Sequence, residues 1–342
     1  MALFVAGLTV AGTSRAVAEE LREFQATRIR MGVPFQITVY AANEATANAA
    51  MESAFARLRE LNRTFSDYDP RSEARRLTTE IAPGAAVPIS SDMRRVLTES
   101  LEISRQTDGA FDVTVSPVVK LWRRSYRSKE LPAAGDLQEA LANVGWRFVT
   151  VDSDESTVTF QRPGVELDFG GIAKGDACDQ VLAVLKEKGL SRAMVEAGGD
   201  LACGDPPPGK AGWRIAVAAL DQPEEEASDI LLLKNQGVAT SGDAYQFLEV
   251  DGVRYSHIVD PRTGLGLTTH ANVTVVAPTG SRADALASAV SVMGPERGRC
   301  LVESLEGVAM RMVFRDADGE ERVAESRGFG ELVEKRDTPA AR

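Results

Sequence analysis

The sequence predicts an α+β fold in which mixed or antiparallel sheets pack against helices. Two patterns predict it. In some segments apolar residues recur every three to four positions, as one face of a helix requires; in others they alternate or run together over short stretches, as strands require. The two kinds of segment do not alternate strictly, which argues against a doubly wound parallel sheet. With 44% hydrophobic and 26% charged residues, the 342-residue chain has the composition of a globular protein with a substantial core, in one large domain or two.

The elements follow in order. Phe35, Ile37 and Val39 alternate with Gln36, Thr38 and Tyr40, a half-buried strand. Asn43 can cap the next helix, whose stripe is Ala47, Met51, Ala54, Leu58 and Leu61. Residues 65–72 are a polar loop with a proline. A second helix carries Met93, Val96, Leu97 and Leu101, and Gly109 suits its end. Residues 111–119 read as a short apolar strand or turn, and 123–134 as a charged connection. A helix near 137–143 and strands around 148–151 and 157–161 come next. Residues 166–175 read as strand, glycine turn and helix start. That helix carries Cys178, Val181, Leu182 and Leu185 and stops at Gly189. Strands are expected around 193–197, 213–218, 238–241, 254–259 and 272–277. A late helix has the stripe Ala283, Leu286, Ala287, Val290 and Met293. A strand at 308–314, a turn at Asp318-Gly319 and a last strand close the domain. The main domain is expected over residues 31–330, after an extension at 19–30 and before a polar tail, 331–342, expected to be disordered.

The N-terminus carries its own signal. Residues 3–11 form an apolar run as long as a signal-peptide hydrophobic region, and Ala16-Val17-Ala18 offers a small-x-small cleavage site. Residues 1–18 are therefore expected to be a signal peptide, whose positive end is missing from the start given. The run is too short to span a bilayer. The expectation is an exported protein, periplasmic or at the outer face of the cytoplasmic membrane. No cysteine lies near the run, so a lipoprotein is not expected.

Composition excludes some functions. The net charge is -11 and the basic residues form no stripe, which argues against nucleic-acid binding. Three widely spaced cysteines make neither a disulfide framework nor a zinc site. Residues 204–211 resemble a P-loop only superficially. They lack the terminal Ser or Thr, and three prolines remove amides that would cradle phosphate.

Several constellations could carry chemistry. Asp284 and Ser288, four apart on one helix, present a carboxylate and a hydroxyl on one face, a small oxygen site suited to magnesium. The plain alternative is a solvated Asp near a helix N-terminus. Asp168 to Gly175 places two glycines and Lys174 at a helix start, where backbone amides favour phosphate; a tight connection with a surface lysine reads equally well. His257, one of only two histidines, sits where a strand enters a Pro/Gly turn and could serve as general base or acid, or be structural. Gly198-Gly199-Asp200 and Thr240-Ser241-Gly242-Asp243 are polar turns after apolar strands.

Taken in order, these segments resemble the FAD:protein FMN transferases, the ApbE family. The resemblance rests on Met31-Gly32, Phe65 to Ser72 (FSDYDPRS), Thr107-Asp108-Gly109-Ala110-Phe111-Asp112 with Pro117 and Trp122, and Leu167 to Gly175 with Asp179. It continues through Gly198-Gly199-Asp200, Ala239 to Asp243, Ser256 to Gly264, and Val273 to Val276 followed by Ala283-Asp284-Ala285-Leu286. It implies a magnesium-dependent cleavage of FAD that releases AMP and links FMN through a phosphoester to a threonine or serine hydroxyl of an acceptor protein. It further implies a cofactor held between two halves of the fold, and an acceptor that is an exported or membrane-associated redox subunit. Met31 and Tyr68 match positions packed on the flavin or adenine rings. Ala110, Phe111 and Asp112 match a cofactor-contacting turn, and Asp168, Lys174 and Ile258 match FAD contacts. Gly171 (through its carbonyl), Asp284 and Ser288 match metal ligands, and His257 matches a residue essential for transfer. Some members hydrolyse FAD to FMN and AMP instead. A flavin-binding protein without catalysis is a further reading, against which the Asp284–Ser288 pair argues. The chain departs from the family pattern at Ser288, usually Thr, at Glu196, commonly Asn, and at Asp176, commonly Tyr.

Overall fold

The structure, a computed structural model, describes residues 20–79, 82–221, 227–243 and 246–335. The expected signal peptide and the end of the tail lie outside them.

β1 (Arg22–Arg30) and β2 (Val33–Ala41) form an antiparallel hairpin. Met31 and Gly32, at φ +47° and +81°, are the two left-handed residues its tight turn requires. The segment read from sequence as an extension is thus an edge strand of the main sheet. Its interleaved Arg, Glu and Gln hide the alternation, as charged edge strands do.

α1 (Glu44–Phe65) is capped by Asn43, whose side chain accepts from the Thr46 amide at 2.9 Å, and it buries the expected stripe. α2 (Glu73–Thr79) and β3 (Ala86–Pro88) lead to α3 (Ser91–Gln106), capped by Ser90 and followed by left-handed Gly109. α4 (Ser116–Ser128) corrects the expected strand and charged connection. Pro117 suits its first turn, and Val118, Leu121, Trp122 and Ser125 are its buried stripe, masked in the sequence by arginines at 123, 124 and 127. α5 (Ala134–Leu141) precedes β4 (Val149–Asp152) and β5 (Thr157–Phe160), which join β3 in a small sheet. Residues 166–172 make only a single bridge, Val115 to Glu166, rather than the expected strand.

α6 (Ala173–Glu187), β6 (Ala193–Ala197) and β7 (Asp200–Cys203) follow, then the hairpin of β8 (Trp213–Ala218) and β9 (Ala227–Leu233). β10 (Gln236–Gly242), a hairpin of β11 (Phe247–Val250) and β12 (Val253–Ser256), and β13 (Ala271–Ala277) lead to α7 (Gly280–Met293). α8 (Pro295–Glu303), β14 (Ala309–Arg315), β15 (Glu321–Glu325) and α9 (Phe329–Leu332) end the described chain. Val333 bridges to Leu231, so the ordered domain continues past residue 330.

The main sheet has eight strands in the order β1-β2-β6-β7-β10-β13-β14-β15, every neighbour antiparallel. One face, with Phe35, Ile37, Val39, Val195, Val273 and Val275, packs against α1, α3, α6 and α7 in the largest apolar cluster. The other face is covered by β8, β9 and α9 through Trp213, Leu231, Leu233 and Phe329. Both faces are therefore buried near the middle, and Tyr40, expected on the solvent side, lies beside Trp213. A third cluster joins α4, α5 and the β11–β12 hairpin through Val118, Trp122, Leu248 and Val259. The Trp122 indole N–H donates to the Gly264 carbonyl at 2.6 Å and ties that body together.

α7 is not a helix with one wet face. Ala283, Asp284, Ala285, Leu286, Ala287, Ala289 and Val290 are all buried. Its start sits in a glycine junction. A Cβ on Gly175 of α6 would stand 2.1 Å from the Gly280 carbonyl oxygen, and one on Gly237 of β10 would stand 2.3 Å from the Gly280 nitrogen. Helix and strand backbones touch there, which only glycine permits.

Candidate active site

The junction brings one oxygen-rich cluster together. Asp284, 3% exposed, and Ser288 lie one turn apart on α7. Lys174, in the first turn of α6, pairs with Asp200 at the start of β7 and stands 3.7 Å from Asp284 Oδ2. The Gly175 amide donates to the same Oδ2 at 3.3 Å. A Cβ on Gly171 would lie 3.0 Å from Ser288 Oγ and 3.4 Å from the Phe111 ring, so this glycine lets its backbone lie against the Ser288 hydroxyl.

The electrostatics of the cluster suit a cation. Burial pushes the Asp200 carboxyl up to about 7, with neighbouring Asp284 adding to the shift. Burial also raises Asp284, against the pull of Lys174. Burial disfavours the Lys174 ammonium, but Asp284 and Asp200 outweigh it and raise its pKa. Two buried carboxylates face one ammonium, so ionising both would leave one negative charge uncompensated in poor solvent, and each carboxyl holds its proton more tightly. The donor atoms at hand are the Asp284 carboxylate and the Ser288 hydroxyl, both oxygens, as a hard divalent cation requires, with the Gly171 backbone beside the hydroxyl. Among the described residues no group of three or more His, Cys, Asp or Glu side chains could hold a metal alone. A cation here would complete its shell with water or phosphate oxygens, which is magnesium's habit.

Two cavities open on this cluster. The first, about 830 Å³, lies between the end of the main sheet and the β8–β9 hairpin, with Lys174, Asp200, Asp284, Glu196, Thr240 and Asn272 in its wall. The second, about 800 Å³, lies between the main body and the α4/β11–β12 body and has Tyr68, Phe111, Val119, Trp122, Arg123 and Asp168 in its wall. Both are bounded by Gly170, Gln246, His257, Ile258 and Ser288. The two cavities thus meet along a short seam beside Asp284.

Most residues singled out from the sequence line these spaces. His257 stands on the seam with its side chain exposed there, its Nδ1 3.2 Å from the Gln246 carbonyl, and the crowding of atoms around the ring lowers its pKa by displacing solvent. A carbonyl only accepts, so Nδ1 carries the hydrogen and Nε2 keeps its lone pair. Ile258 follows it on the seam. Tyr68, 78% exposed, lies under the Arg123 guanidinium, 4.9 Å from its ring centroid. Ala110, Phe111 and Asp112 are buried at the base of the second cavity. The Asp112 carboxylate accepts from the Thr114 amide and hydroxyl and from the Trp146 amide, so it holds the turn that presents Phe111. Asp168 accepts from the Gly170 amide at 2.8 Å, which takes that amide away from any phosphate. Lys174, a candidate phosphate or FAD contact, lines the first cavity and is paired there with Asp200 and Asp284. Met31 borders neither cavity; it packs on the main core from the β1–β2 turn. His270, the other histidine, is held between Asp243 and Asp221.

Residues 31–312 match the model of the ApbE family. The chain belongs to the ApbE family. It is 34% identical over 282 residues to the FAD:protein FMN transferase of Haemophilus influenzae, covering 80% of this chain and 81% of that one. Over 328 residues it is 29% identical to the FAD:protein FMN transferase of Treponema pallidum, covering 92% and 89%. Among solved structures, the flavin transferase ApbE of Vibrio cholerae superposes with a TM-score of 0.81 at 29% identity, covering 91% of this chain and 99% of that one. The ApbE protein of Thermotoga maritima gives the same TM-score and identity, covering 92% and 100%.

This ApbE chain also uses residues that sequence reasoning did not single out as functional. Asp200 was legible only as the end of a glycine turn, and nothing local says that it meets Lys174. Arg123, which pairs with Asp67 at 2.6 Å and approaches Asp168 at 3.8 Å, was hidden in what read as a connection. Of the departures from the family pattern, Glu196 lines the first cavity, whereas Asp176 is buried in a two-point pair with Arg95 of α3, away from both cavities.

Proposed function

We propose that this chain is an FAD:protein FMN transferase. It takes FAD across the two cavities, cleaves its pyrophosphate with magnesium, releases AMP and leaves FMN on a threonine or serine hydroxyl of an acceptor protein. One observation carries this reading. A polar seam with a neutral histidine and an oxygen cluster joins two ligand-sized cavities, so a two-part substrate can be cut at its middle. Magnesium at Asp284, Ser288 and the Gly171 carbonyl would neutralise the pyrophosphate as charge builds on it.

The chain's own residues do the rest. Lys174 holds Asp200 and Asp284 in place and offsets part of their charge. His257 Nε2 takes the proton of the acceptor hydroxyl. The freed oxygen bonds to the FMN phosphorus, the P–O bond to AMP breaks, and AMP carries away the electron pair. The Gln246 carbonyl keeps the imidazole in the required tautomer. The apolar walls around Phe111 and Trp122 suit a flat heteroaromatic ring.

The acceptor is proposed to be an exported or membrane-associated redox subunit, and the enzyme itself to be exported. The apolar run at residues 3–11 and the Ala16-Val17-Ala18 site support this. Among the described residues no helix is long and apolar enough to cross a membrane.

The test is incubation with FAD, magnesium and a candidate acceptor. An FMN adduct on the acceptor by mass spectrometry, with equimolar AMP and loss of both under chelation, is expected. AMP without adduct on any acceptor would make the chain a FAD pyrophosphatase. Bound FAD without AMP would overturn the enzymatic reading.

A further inference from the structure

α6 and α7 carry the same short pattern at the place where they touch. Gly175 and Asp179 are four apart on α6, and Gly280 and Asp284 are four apart on α7. The two glycines are in contact, because a Cβ on Gly280 would lie 2.7 Å from the Gly175 carbonyl oxygen. Each aspartate reaches the amide of the other helix's glycine. Asp284 accepts from Gly175, and Asp179 accepts from Gly280 at 2.8 Å and from Ser281 at 2.9 Å. The helices exchange carboxylates at their first turns, so each satisfies amides that the other leaves without an intrahelical partner.

The exchange is anchored from a third side. Arg282 of α7 meets Gln106 of α3 at 3.1 Å and Glu102 at 3.6 Å, and Asp176 of α6 pairs with Arg95 of α3. The Thr279 hydroxyl, also a cap, covers only the Arg282 amide, at 3.3 Å. Gly280 and Ser281 depend on Asp179.

We infer that Asp179 is a positioning residue for the Asp284–Ser288 cation site. Asp179 touches neither cavity. It fixes the start of α7 against α6, and through that fixes the distance from Asp284 and Ser288 on α7 to Gly171 and Lys174 at the head of α6. Without it, two amides at a positive helix end lose their partner and α7 can tilt about the glycine contact. The ligand oxygens then separate. This rests on the reading of that cluster as a divalent-cation site.

The test uses full-length protein with Asp179→Ala and Asp179→Asn, the latter keeping one acceptor oxygen. Mn2+ binding is followed by electron paramagnetic resonance with AMP present, and the magnesium needed for half-maximal AMP release is measured separately. Flavin fluorescence in chelator reports FAD binding without metal. Asp179→Ala is expected to weaken Mn2+ binding and raise the magnesium requirement by about 10–100-fold, the range for groups that orient metal ligands. FAD binding in chelator should stay near wild type, and Asp179→Asn should recover part of the metal affinity. A variant that is merely less heat-stable, with wild-type Mn2+ binding, overturns the inference. If Asp179→Ala does not fold, Asp179→Asn decides by the same criterion. A wild-type protein that binds no Mn2+ sinks the cation site itself, whereas equal binding by wild type and variants sinks only the role of Asp179.

Discussion

His257 has one hydrogen-bearing nitrogen facing a carbonyl and a second nitrogen with a free lone pair, and its surroundings favour the neutral ring. Replacing it by Ala should abolish transfer to an acceptor while FAD still binds, measured by adduct mass and by flavin fluorescence; unchanged transfer would remove it from the mechanism. Its pH behaviour follows from the lowered pKa. A base works only when neutral, so the acid limb of kcat/KM for transfer should fall below the ordinary histidine value of about 6.5. A limb above that value would mean that another group is titrating. At this scale much was legible. His257, Asp284 and Ser288 stood out because few residue types can do their chemistry. Asp200 and Asp179 stood out only as motif positions, and not by role, because their partners lie 26 and 101 residues away in the chain, a pairing no local pattern encodes.

Helices α6 and α7 show what an element adds. Each was legible from its apolar spacing, but the contact that makes them useful depends on Gly175, Gly237 and Gly280, which read singly as unremarkable helix and strand glycines. Gly175→Ala forces a methyl into the Gly280 carbonyl. It should destabilise the fold by about 1–3 kcal/mol in urea unfolding, as overpacked sites do, and lower AMP release. Gly135→Ala in α5, where a Cβ meets nothing within 4 Å, should stay within about 0.5 kcal/mol of wild type. Elements were misread where charge covers the pattern. β1 alternates, but Arg28 and Arg30 share the half-buried side of Phe24 and Ala26 while Ile29 faces outward, and the three arginines of α4 obscure a stripe that closes the second cavity. β7, β9 and β11 are four to seven residues long and lack a distinct period, so only their partners define them as strands.

For the whole molecule, the site exists because three apolar clusters meet without merging. The helix-covered sheet, the β8–β9 hairpin and the α4/β11–β12 body each close one side of a cavity. The α+β class was legible from sequence, whereas the ligand between two halves was what the family resemblance implied. That the main sheet is covered on both faces was not legible, because alternation in β2 hides a second buried side. FAD should therefore act as a brace between the clusters. A ligand at 100 times its dissociation constant stabilises the native state by about 2.7 kcal/mol, which a thermal-shift series in chelator would read out.

The division of the site into two chambers with a shared wall has a kinetic consequence. If each half of FAD occupies its own chamber, the two half-molecules exclude FAD but not one another. FMN and AMP should each inhibit competitively against FAD, and a double-inhibition plot with both present should show intersecting rather than parallel lines. Parallel lines would place both in one chamber. On the intersecting pattern, AMP can depart while the flavin half, already bonded to the acceptor, is still in its chamber, so the two products can leave one after the other.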